Sequence, residues 1–60
     1  MPNLREHIDI AVARGIPRPI AVLVNYEMGM QVGDPEETDI SLLTDEERII
    51  LKEQGLIDSG

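Results

Sequence analysis

Sixty residues without a single cysteine have little to hold them together. A chain this short removes only about 60% of its unfolded surface from water, and here no disulfide or thiolate metal site can reinforce it. One histidine leaves a nitrogen-ligated centre equally short of donors, so no metal or other cofactor is expected, and 5 Lys and Arg against 12 Asp and Glu, a net charge of -7, argue against direct nucleic-acid binding, which requires a basic patch.

The apolar content is almost wholly aliphatic: eight Ile, six Leu, four Val, three Met and three Ala, with Tyr26 the only aromatic. Aromatic rings bury the largest area per residue, so the core is expected to be thin and self-association or a tight partner is expected to supplement it. The longest unbroken apolar run, Ile20 to Val24, is far short of the roughly 20 residues that span a bilayer. No membrane segment and no secretory signal is read, and a cytoplasmic location is expected. Residues 1–60 are read as one small helical domain.

The first helix is well marked. Asn3 can cap it, Glu6 stands three residues later as in a capping box, and Gly15 supplies the left-handed stop, which places the helix near Asn3 to Arg14. Leu4, Ile8, Ala11 and Val12 fall on one stripe, Arg5 and Asp9 can pair on the outside, and Ile10 lies off the stripe. His7 has no partner at a spacing that faces it, so it is read as a surface residue rather than part of a catalytic constellation.

Gly15-Ile16-Pro17-Arg18-Pro19 forces an extended approach to a second helix, expected over Pro19 to Met28 with Ile20, Leu23, Val24 and Met28 as its buried stripe. The same residues are short and rich in β-branched side chains. The runner-up is therefore an α+β arrangement with a hairpin at residues 20–32. Residues 31–43 break the pattern and are expected to form a mobile acidic loop. A third helix is expected from Asp45 to Gln54, because Thr44-Asp45-Glu46-Glu47 is a capping box that loads acids onto the positive end of the helix dipole. Gly55 can stop it, with Leu56 folding back in a Schellman motif. The fold class expected is all-α, a small three-helix domain.

Two motifs fail on inspection. The twelve residues from Asp34 to Asp45 resemble a calcium loop in length, but Asp39 stands where a Gly is needed, Leu42 where an oxygen ligand is needed and Asp45 where a bidentate Glu is needed. The helix, proline turn and helix resemble a helix-turn-helix, with Arg5, Arg14 and Arg18 near the turn, but the net charge has the wrong sign for DNA.

The charge distribution is more informative. Residues 1–30 carry three bases and three acids, whereas residues 31–60 carry nine acids against Arg48 and Lys52 and so hold the entire net charge of -7. From Asp34 to Glu47 there are seven acids and no base. Such a run serves solubility, but its segregation also creates a local field that would speed encounter with a basic partner protein. The partner-binding residues expected are Asp34, Glu36, Glu37, Asp39, Asp45, Glu46 and Glu47, with Ile49 from an aliphatic surplus that three short helices cannot cover. These features point to a non-enzymatic interaction module. One form of it is an inhibitor that imitates the phosphate spacing of nucleic acid, as small acidic phage proteins do; the alternative is a structural subunit of a larger complex or particle.

Overall fold

The computed structural model describes residues 2–58, and within them the chain is all-α, with no strand. The helices are α1 (Leu4–Ala13), α2 (Arg18–Val32) and α3 (Asp45–Glu53), with two short 3-10 turns, Pro35–Thr38 and Ile40–Leu42, between the last two. The hairpin alternative at 20–32 is thus overturned: α2 continues unbroken through both Met28 and Met30. No helix is long and apolar enough to cross a membrane.

Local chemistry sets the helix ends. The Asn3 side chain accepts a hydrogen bond from the Glu6 N–H at 3.0 Å, satisfying one of the donors that open α1. At the other end Gly15, with φ 92°, turns the chain so that its N–H reaches the Val12 carbonyl and the Ile16 N–H reaches that of Ala11, a Schellman closure. The same closure ends α3, where Gly55 and Leu56 donate to Lys52 and Leu51 and Leu56 packs on the core. The capping box of α3 is complete: the Glu47 N–H donates to Thr44 Oγ1 at 3.2 Å and the Thr44 N–H donates to Glu47 Oε1 at 2.8 Å. Replacing Thr44 with Ala should therefore cost about 0.5 to 2 kcal/mol, read as a lowered midpoint in urea titration. A midpoint unchanged from wild type would show that the cap contributes nothing.

The core is Leu4 and Ile8 from α1, Ala21, Val22 and Tyr26 from α2, Leu43, and Leu51 from α3. On α1 the expected stripe packs inward, and Ile10 stays exposed. On α2 it does not. Ile20, Val24 and Met28 face solvent, while Val22, off the expected stripe, is fully buried alongside Ala21, Tyr26 and Gly29. The helix carries apolar residues on two sides, and the side with the small residues faces inward because it allows the closest backbone approach. An added Cβ at Gly29 would lie 2.3 Å from the Glu37 carbonyl oxygen.

The expected loop at 31–43 is also corrected. Its first two residues complete α2, and Gly33 ends that helix at φ 79°. Asp34 and Asp39 then each cap a 3-10 turn, accepting from the N–H two residues on, Glu36 at 2.9 Å and Ser41 at 3.1 Å, the usual Asx-turn chemistry. Leu43 is buried. Arg48 binds this segment to α3, donating to the Ile40 carbonyl at 3.1 Å and the Leu43 carbonyl at 2.8 Å and pairing with Asp45.

Candidate acidic docking surface

The acids between Asp34 and Glu47 are sorted by the fold into two populations. Glu47 goes inside. Its position as third residue of α3 is one turn ahead of Leu51, and both are buried, Glu47 with 1% of its surface exposed. A buried carboxylate is tolerable only when every lone pair is engaged, and here four donors converge on it. Arg5 grips it through both guanidinium ends, Nη1 to Oε1 at 2.6 Å and Nη2 to Oε2 at 2.7 Å. Arg18 donates to Oε2 at 2.8 Å, and the Thr44 N–H supplies the fourth bond at 2.8 Å. The node ties the start of α1, the start of α2 and the start of α3 together across 42 and 29 residues of sequence.

The Arg5 hydrogen bonds, joined by those from Thr44 and Arg18, outweigh the cost of burial and lower the Glu47 carboxyl from its ordinary 4.5 to about 2. The same contact with Glu47 raises the Arg5 guanidinium. Glu47 therefore does not belong to the outward acidic surface, in contrast to the expectation from its place in the run. Its capping role is written in the sequence; its ion-pair role is not, although the four-residue spacing to Leu51 is a signal that it shares the core face.

The other expected residues lie on or near the surface. Glu36, Asp39, Asp45 and Glu46 are exposed, as is Ile49, and Asp34 and Glu37 are half-buried. Asp34 and Asp39 accept backbone N–H groups, Asp45 pairs with Arg48, and Glu37 meets His7 Nε2 at 3.0 Å. His7, expected to stand alone on the surface, is half-buried, and the 3-10 turn brings Glu37 to it from 30 residues away. Among the described residues Glu36 and Glu46 take part in no salt bridge.

Three of the five cations are committed to partners at the same time. Arg5 and Arg18 are committed to Glu47, and Arg48 to Asp45 and two backbone carbonyls. From the first 3-10 turn to the first turn of α3, the outer face is therefore acid that no lysine or arginine among the described residues neutralises, apart from the Asp45–Arg48 pair.

The fold is a small all-α three-helix domain whose exposed acids Glu36, Asp39, Asp45 and Glu46 lie in the segment leading into its last helix and in that helix's first turn. No protein-family model matches the chain, and it matched neither a curated protein nor a solved structure.

Proposed function

We propose that this chain is a non-enzymatic protein-interaction module, acting in the cytoplasm, that docks on a partner protein with a basic surface through Glu36, Asp39, Asp45 and Glu46, flanked by Asp34, Glu37 and the exposed Ile49. The observation that carries this reading is the disposition of the charges: Arg5 and Arg18 are held by the buried Glu47 and Arg48 by Asp45, so Glu36, Asp39 and Glu46 stay exposed with no lysine or arginine paired to them among the described residues. Uncompensated charge of one sign steers association with the opposite sign. The two 3-10 turns and the first turn of α3 hold these acids on a hydrogen-bonded frame, which lowers the ordering cost of binding. Blocking a nucleic-acid-binding site on the partner is the form of action that such a face suits best, since a row of carboxylates can occupy sites made for phosphates.

Glu36 and Glu46 are exposed and neither is in a salt bridge among the described residues; Glu36 is the cleaner probe, since Glu46 also lies in the first turn of α3. Reversing both to Lys should leave the helical circular dichroism unchanged. Association with a basic partner recovered by affinity capture should slow by roughly tenfold at low salt, with the difference shrinking as salt screens the field. Equal capture by wild type and the double variant in low salt would sink the acidic-surface reading.

A second reading, a structural subunit held by permanent apolar contacts, is favoured by a different observation, the aliphatic face that α2 turns to solvent.

A further inference from the structure

On α2 the side chains of Ile20, Val24, Met28 and Val32 recur every four residues, so they form one ridge along the helix surface. All four are exposed, at 51%, 49%, 57% and 71%. Fifteen residues of α-helix extend about 22 Å, and among the described residues the ridge side chains stay about half exposed or more along most of that length. A run of unpartnered aliphatics of this extent is an interface feature rather than the scattered exposure ordinary on any surface.

Charge shows what covers it. Arg14, which makes no salt bridge among the described residues, stands in the turn leading into the N-terminal end of α2, while Arg18, which opens the helix, is held by Glu47. Asp34 and Glu36 follow immediately beyond its C-terminal end. The helix is therefore basic at one end and acidic at the other, which is self-complementary under a two-fold rotation. The macrodipoles of two antiparallel helices add to the same preference. A parallel pairing would set like ends together.

We infer that the α2 ridge is the seam of an antiparallel homodimer with its two-fold axis at Val24, so that Ile20 of one copy meets Met28 of the other and the Arg14 end of each lies toward the Asp34 and Glu36 end of its mate. Rows spaced by four residues interdigitate in the commonest class of helix packing, and a two-fold contact uses the same patch on both copies. Asp34 and Glu36 belong both to the acidic end of this seam and to the acidic surface, whereas Asp39, Asp45 and Glu46 take no part in the seam.

The test exploits the absence of cysteine from the chain. Chains carrying Val24→Cys alone should form a disulfide-linked dimer under mild oxidation. Ile20→Cys chains mixed with Met28→Cys chains should crosslink to one another at least several-fold faster than either does to itself, since equal positions are offset along an antiparallel pair by eight residues, about 12 Å. Ile49→Cys, equally exposed but on α3, should not crosslink. In sedimentation equilibrium the wild type should be dimeric at micromolar concentration and near-physiological salt. Val24→Glu, which sets two carboxylates face to face at the axis, should raise the dissociation constant roughly a hundredfold or more. A wild-type monomer at these concentrations overturns the proposal. So does preferential crosslinking of Ile20→Cys to itself, which indicates a parallel seam, or of Ile49→Cys, which indicates another face. If Val24→Glu should fail to fold, the cysteine series decides alone.

Discussion

Replacing Glu47 with Gln is expected to destabilise the protein by about 3 kcal/mol at neutral pH, because it removes the buried charge of the pair and leaves Arg5 with Asp9 alone. The substitution keeps the shape and the acceptor oxygen but removes the negative charge that Arg5 and Arg18 share, and its amide presents N–H donors to guanidinium donors. Against a total stability of about 3 to 9 kcal/mol for a chain of this length, a loss of this size takes a large part of the whole. The melting temperature should fall by about 10 °C or more. Arg18→Ala should cost less, since Arg18 is half-exposed and Arg5 would still hold the carboxylate in a bidentate grip. A Glu47→Gln variant with wild-type melting behaviour would mean that the node contributes nothing to the fold.

The same carboxylate makes stability depend on pH in a defined window. Its folded-state value of about 2 lies below the ordinary 4.5, so the unfolded chain binds the proton more readily. The contribution is fully present above pH 4.5, declines as the pH falls from there toward 2, and is gone below 2. The displacement corresponds to roughly 3 kcal/mol. Urea midpoints measured between pH 7 and pH 2 should therefore fall steeply over the lower part of that range in the wild type, and the fall should be markedly shallower in Glu47→Gln. Parallel profiles for the two proteins would assign the acid response to other carboxylates.

Gly29→Ala is the second substitution with a large expected effect, and its sign separates local propensity from tertiary packing. In an isolated helix the change would stabilise by about 1 kcal/mol. In this fold the new Cβ would stand 2.3 Å from the Glu37 carbonyl oxygen and 2.8 Å from its carbonyl carbon, and neither atom belongs to a flexible side chain that could swing away. The turn at Pro35–Thr38 must move off α2, straining the contact between Glu37 and His7. Overpacking of this kind costs about 1 to 3 kcal/mol, enough to override the propensity gain. Thermal unfolding should show a net loss, and amide chemical shifts should change most at residues 35–38. A variant more stable than wild type would show that the turn does not lie against the helix so closely.

How much of this is legible in the sequence differs between the ends of the elements and their faces. Asn3, Thr44, Glu47, Gly15 and Gly55 mark helix boundaries through bonds made within a few residues, and bonds of that range can be read from spacing alone. The same locality makes α1 and α3 recognisable and the three-helix class with them. The inward face of α2 is not legible, because the helix has two apolar sides and hydropathy favours the larger residues Ile20, Val24 and Met28. Only the neighbours determine that the small side, with Ala21 and Gly29, admits the close approach of the Glu37 backbone. The segment 31–43 reads as an irregular loop because its order depends on Arg48 and on burial of Leu43, neither of which appears in a pattern of turn residues.

For the acidic surface, the sequence by itself established that the charge is segregated, since counting requires no coordinates. It marked Glu47 as the capping residue but did not separate it from Glu46 as a member of the acidic surface. One residue of offset on a helix rotates a side chain by about 100°, which separates a carboxylate held by two arginines from one left in solvent, and the arginines that make the difference come from α1 and α2. Spacing within one helix determines which residues can share a face. Which face turns inward, and which charges are neutralised there, was decided only when three helices packed and brought Arg5 and Arg18 to the same carboxylate.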